Sequence, residues 1–231
     1  MTPEPHDADP LPENNRLALR QVARACRKAS LATILAGSGG APYASLVTVA
    51  FGHDLTPILL LSRLSDHTRN VLADPRASLL LDGTEGHPNP QTGPRVTLTG
   101  RAEQSNDPEL KARFLARHPA AALYAGFADF AIWRIVPERA HFVGGFGRAV
   151  WFDAPFGLPA QPATGDEPRL VAELNAEHAA RLDGWAITAI DADGVDMLRC
   201  EEFRRLAFRQ PAVGEDALCA AVAGLFRPRI S

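Results

Sequence analysis

The sequence predicts an α+β fold with antiparallel strands, on three observations. Between residues 30 and 152, short apolar or β-branched runs are separated by Gly, Asn and Asp turn signals. Arg95–Glu103 alternates with period two, placing Val96, Leu98 and Gly100 on one face and Thr97 and Thr99 on the other. Residues 168–231 then read as helix, hairpin, strand and helix, a unit of roughly 65 residues that is small for an independent core.

Taken in order, residues 1–15 carry four prolines and little apolar content, the composition of a flexible tail. Leu19, Val22, Cys26 and Ala29 recur at spacings of three and four, which predicts a helix over 16–29. Strands are expected at Ser30–Gly37, Tyr43–Phe51, Pro57–Ser62 and Arg76–Asp82. A short helix over Ser65–Ala73, capped by Ser65 or Asp66, interrupts them. Three Gly and three Pro in 83–94 mark a surface loop. After the alternating strand, Asp107-Pro108 starts a helix over Glu109–Arg117. Phe130–Val136 and His141–Phe146 read as two further strands, with Arg148–Phe152 closing the region. Residues 153–167 hold three prolines and no period, which reads as a linker. Beyond it come a helix over Pro168–Leu182, a hairpin turning at Asp191–Gly194, a strand over Phe203–Phe208 and a helix over Glu215–Phe226.

Composition excludes several classes. A net charge of −3 gives no basic field for nucleic acid or an anionic membrane surface. Apolar runs such as Ile58–Leu61 are too short to span a bilayer, and the first residues show neither a basic nor an apolar signal region, so a cytoplasmic protein is the expectation. Three unclustered cysteines argue against a disulfide framework or a zinc cluster, so no metal site is expected. Arginine supplies 22 of the 24 basic residues, a bias that fits codon usage and also suits phosphate binding. Phosphate-loop, dinucleotide, nucleophile-elbow and zinc-protease motifs are absent. Asp191 to Asp196 fails as a calcium loop, because the position needing Gly is Asp196 and the flanks are strands.

The most informative segment is Ser62–Asn70. A strand ends where a helix begins, so unpaired N–H groups and the positive end of the helix dipole form an anion site. Ser62, Ser65 and Thr68 add hydroxyls, Arg63, His67 and Arg69 are potential cations, and Asn70 adds an amide. A phosphate monoester suits the cluster; a solvated, capped helix end is the plainer alternative. Arg95, where the Pro-rich loop enters a strand, is a second candidate. Asn175 with His178, and His141 beside Gly144, Gly145 and Gly147, are weaker ones.

Together, Pro42–Val49, Leu60–Asn70 running to Asp74-Pro75, and Arg95–Gly100 resemble the pyridoxamine 5′-phosphate oxidase-like family. Its members have an FMN-binding split β-barrel. Phe142–Ala149, Leu174–His178 and Ile190–Gly194 are similar to the haem-utilisation (HugZ-type) branch, which adds a small C-terminal domain. The resemblance implies an antiparallel split β-barrel with flanking helices over 16–152 and a small α+β domain over 168–231. It implies a homodimer with FMN at the interface. Ser45, Leu46 and Val47 would lie along the flavin, and Leu61 and Ser62 beside the ribityl-phosphate. His67 would stand where the family has a phosphate-binding Lys and Asp66 where it has an Arg, with Arg63 or Arg69 substituting for the two lost basic residues. Thr68 and Asn70 would act as neutral donors, and Arg95 would sit near the ring. The leading expectation is a flavoprotein oxidoreductase of unknown substrate, with no catalytic residue assigned. The alternatives are a haem-binding or haem-degrading protein on the same scaffold, with His141 or His178 as ligand, and a binding or regulatory protein without cofactor.

Overall fold

The computed structural model describes residues 11–158 and 165–227. Helix α1 (Asn15–Ala25) is capped by Asn14, whose side chain accepts from the N–H groups of Arg16 and Leu17. It stops four residues before the expected end. Cys26 is extended, and strand β1 (Lys28–Ile34) has already begun, alternating exposed and buried residues. Ala29 is therefore buried as a strand residue. Strand β2 (Pro42–Thr48) hairpins back on β1, and the expected long second strand breaks at Val49, giving β3 (Ala50–Phe51). Strand β4 (Pro57–Ser62), helix α2 (Asp66–Ala73) and strand β5 (Arg76–Asp82) follow as expected.

Strand β6 (Arg95–Ser105), helix α3 (Pro108–Arg117) and strand β7 (Phe130–Val143) complete the scaffold with β8 (Ala149–Asp153). The two strands expected on either side of Pro137 are one 14-residue strand. The register with β6 shifts at Thr99/Gly100, where Glu138 is an extra residue in β7 beside Pro137, and this bulge accommodates the proline. Gly100 makes this possible, since a Cβ there would lie 2.1 Å from the Val136 carbonyl oxygen. The sheet runs β2-β1-β5-β6-β7-β4-β3, with β8 on the free half of β7, all antiparallel. This curled antiparallel sheet with flanking helices is the split-barrel architecture expected above.

The C-terminal unit holds α4 (Glu167–His178), β9 (Ala186–Asp191), β10 (Gly194–Arg199), β11 (Glu202–Ala207) and α5 (Glu215–Leu225). Its Leu174, Ile187, Val195 and Leu218 share one continuous buried core with Leu19, Leu79 and Leu98. Phe156, in the segment read as a linker, is fully buried in that core, while 159–164 lie outside the described residues, as does 1–10 of the expected tail. No described helix is long and apolar enough to cross a membrane.

A buried lattice of opposite charges joins the two parts. Arg20 grips Asp193 through Nε (3.0 Å) and Nη2 (2.9 Å). Arg24 reaches Asp193 at 3.2 Å and Asp191 at 3.1 Å, and Arg205 bridges Asp191 (2.7 Å) to Asp196 (2.8 Å). Arg117 adds an ion pair to Asp196, and Arg113 one to Glu167. The three aspartates of the hairpin that failed as a calcium loop thus serve arginines from α1, α3 and β11.

Candidate functional site

The α2 cluster forms, but its groups turn largely inward. Ser65, the residue before the helix, makes no side-chain cap; its hydroxyl donates to the Ser62 carbonyl (2.7 Å) and pairs with Thr68 Oγ1 (2.9 Å). The first helical turn therefore keeps its positive end uncapped. Ser62 Oγ donates to Asp129 at 2.5 Å. Arg63 donates to the Ala128 carbonyl at 2.9 Å, while Arg69 bonds the Leu64 carbonyl and pairs with Asp66. Thr68 is fully buried. Asn70 is buried too: its amide nitrogen donates to Thr33 Oγ1 (3.0 Å) and its oxygen accepts from the Ala36 N–H (2.9 Å). It fastens α2 to β1, so its expected role as a free donor is replaced by a packing one.

His67 and the exposed Arg63 are the groups this end still presents. The His67 Nδ1 lies 3.1 Å from Ser45 Oγ, so helix and strand bring together two residues that the sequence separates by 22. Burial pushes its pKa below the usual imidazole value, against a smaller raising effect of Asp66. A neutral ring is a hydrogen-bond partner and not a cation. Val47 and Leu61 point into the core.

Leu46 and Arg95 lie elsewhere, on the outer face of the sheet. Arg95 sits three strand spacings from β2, roughly 14 Å across the sheet, and on the opposite face from Ser45. The outer face is a ladder of directly paired residues: Leu46, Ser30, Leu80, Thr97, His141 and Trp151, one from each successive strand. Leu46 is 72% exposed, Trp151 47% and Leu80 40%. A groove of about 280 Å³ lined by Lys28, Ser30, Leu46, Leu80, Asp82 and Glu85 lies at its β2–β1–β5 end. Basic Lys28, Arg95 and Arg139 alternate on this face with acidic Asp82 and Asp153. The Asp82 carboxyl is held below its ordinary value first by the Thr84 hydrogen bonds and then by Arg95 and Lys28.

The other sequence candidates are structural. Asn175 donates to the Val171 and Ile187 carbonyls (2.9 and 2.8 Å) and accepts from the Ile187 N–H, locking α4 to β9. His178 is 3% exposed and packs on Phe226 at 5.2 Å. The sequence reading missed the outer-face ladder as a unit. The alternation was visible strand by strand, but the register that lines up six strands was not.

Comparison with known proteins agrees with the fold and names a chemistry for some relatives. A non-canonical haem oxygenase, HOZ, chloroplastic, of Arabidopsis thaliana is 33% identical over 132 residues, 56% of this chain; the chain spans 40% of that relative's length. A haem-binding protein from Mycobacterium smegmatis is 29% identical with a TM-score of 0.60, over 93% of this chain and 97% of that one. A protein of unknown function from Agrobacterium tumefaciens reaches a TM-score of 0.76 at 26% identity, over 97% and 98%. That last alignment takes in the C-terminal unit as well as the barrel. Residues 10–155, which hold the entire eight-stranded sheet, match the family described as CREG, beta-barrel, and the chain belongs to that family.

Proposed function

We propose that this chain binds haem on the outer face of its split barrel, between two copies of itself. The observation that carries the reading is the exposed row of Leu46, Leu80 and Trp151 with an imidazole among it on the outer face. At the α2 end Arg69 is paired with Asp66 and Asn70 is buried against Thr33, which leaves the exposed Arg63 and a His67 whose pKa burial lowers. The outer face offers apolar Leu46, Leu80 and Trp151 spaced by Ser30, Thr97 and His141, with Lys28, Arg95 donating to the Gly93 carbonyl (3.3 Å), and Arg139 paired with Asp153 (3.1 Å). That donor set fits a flat apolar macrocycle with a metal and two carboxylates. The names of the plant and mycobacterial relatives support the same chemistry. When bound, haem supplies the redox and oxygen chemistry, and this chain's residues hold, orient and shield it.

The dimer is part of the proposal. An exposed face with apolar centre and both charge signs is self-complementary under a two-fold axis. Lys28 or Arg95 of one copy can face Asp82 or Asp153 of the other. FMN is the second reading, favoured by the uncapped α2 N-terminus and the Ser45–His67 pair.

Titration of the purified chain with hemin and with FMN, followed by absorbance and by light scattering after gel filtration, separates the readings. Saturable hemin binding to a species of twice 24.8 kDa is the expected result. FMN saturation without hemin saturation selects the second reading. Neither ligand saturating overturns both.

A further inference from the structure

His141 has an unusual setting among the described histidines. Its ring is stacked on the indole of Trp151, directly across the β7–β8 pair, with centroids 4.7 Å apart and planes 17° from parallel. Arg139, two residues earlier on the same strand face, lays its guanidinium 4.6 Å from the same indole. The stack fixes the imidazole plane on an otherwise open face. His53, His67 and His118 each have a ring nitrogen engaged by a protein group, and among the described residues His87, in the loop before β6, has no aromatic ring against it. His178 is sealed in the core. Among the described residues, no protein group hydrogen-bonds the His141 ring.

A half-buried imidazole whose plane is set by stacking, and whose nitrogens no protein group hydrogen-bonds, is open to an external ligand. Its neighbours say what kind. Thr97 lies directly opposite on β6, and Arg95 is the diagonal neighbour on the same face, within roughly 7–8 Å and in reach of a long side chain. Beyond Thr97 the row continues to Leu80, two strands from His141. A nitrogen donor, a stacking platform, a leucine across the face and a nearby guanidinium together suit a planar metal complex bearing carboxylates.

We infer that His141 is the iron ligand for haem on this face, that Trp151 is its positioning residue, and that Arg95 meets a haem carboxylate. This rests on the haem reading above and deepens it by assigning the ligand.

The test is spectroscopic and uses the full chain loaded with hemin. Absorbance and electron paramagnetic resonance should report histidine ligation in the parent chain. His141→Ala should lose that signature and weaken hemin binding at least tenfold, and added imidazole should restore the signature. His141→Cys should shift it to the thiolate type, a gain that an unfolded chain does not give. Arg95→Ala should weaken binding several-fold with the ligation signature unchanged. His67→Ala and His87→Ala should leave the signature in place. Retention of the parent signature in His141→Ala, or its loss in His67→Ala or His87→Ala, overturns the assignment while leaving haem binding intact. Failure of the parent chain to saturate with hemin overturns the haem reading and this assignment together.

Discussion

Replacing Asp193 by alanine tests whether the buried charge lattice holds the C-terminal hairpin to the barrel. Asp193 is fully buried, and its carboxylate accepts four hydrogen bonds, three from Arg20 and one from Arg24. Without it Arg24 keeps Asp191 and the Gly52 and His53 carbonyls. Arg20 keeps only the Phe156 carbonyl at 3.0 Å and becomes a buried cation with no anion. Breaking one partner of a buried pair costs about 3–5 kcal/mol. For a chain of this size each kcal/mol lowers Tm by roughly 2–4 °C, so the fall should be about 6–20 °C at neutral pH. Thermal unfolding by calorimetry or circular dichroism measures it. The double variant Arg20→Met with Asp193→Leu should recover part of the loss, since it removes the orphaned charge and adds apolar volume. A fall below about 2 °C for Asp193→Ala would refute the reasoning, and so would a double variant no more stable than the single one.

Other consequences follow from the same geometry. Gly100→Ala forces a Cβ against the Val136 carbonyl inside the bulge and should cost about 1–3 kcal/mol in chemical unfolding, against no change for a surface control such as Gly126→Ala, whose Cβ would meet open space. Stability should fall in two stages on acidification. His118 is buried beside the Val49 carbonyl with its pKa lowered from 6.5 to about 4 by desolvation, so the unfolded chain takes up its proton first and stability declines from pH 6.5 towards 4. Burial alone would raise the carboxyls of Asp191 and Asp196, but Arg205 with Arg24 and Arg117 overrides it and lowers both, so their contribution is present above the ordinary value of 3.8 and is lost below it. His118→Gln should flatten the upper stage alone when unfolding free energy is measured against pH. Among the three thiols, Cys200 is exposed while burial pushes Cys26 up to about 12, so a thiol reagent should find one fast site, removed by Cys200→Ser, with Cys26 reacting only on unfolding.

Local patterns carried most of the strands and helices because each depends on a few adjacent residues. The errors arose where two patterns share residues. Leu19, Val22, Cys26 and Ala29 satisfy helical spacing, and all four are buried, yet Ala29 belongs to the alternation that continues into Leu31. Pro137 reads as a break, but a bulge at Glu138 and the room that Gly100, in another strand, leaves for the Val136 carbonyl accommodate it. The candidate site was legible at the level of segments and not of atoms. Ser45 and His67 both belong to the expected site, and the fold brings them to 3.1 Å. That Asn70 turns inward to Thr33 depends on how α2 packs on β1, which no local spacing reveals. The arginine excess was visible as a count, but Arg20 and Asp193 stand 173 residues apart, and only tertiary structure matches them.

The lattice also bears on the outer face. The C-terminal unit is the one part of the described chain large enough to cover the ladder from Leu46 to Trp151. It is held instead by Arg20 and Arg24 on α1, by Arg113 and Arg117 on α3, and by a core shared with the inner side of the sheet. Swinging it onto the outer face would expose that core and strip anions from several buried guanidinium groups at once, each at a cost of several kcal/mol. The described residues thus leave Leu46, Leu80 and Trp151 exposed to water. The same energetics that fix the C-terminal unit keep His141 accessible, so the stability of the lattice and the availability of the proposed haem face are linked. Asp193→Ala should therefore loosen the C-terminal unit without improving hemin binding. A gain in hemin affinity would mean that the unit competes for the face, and would break that link.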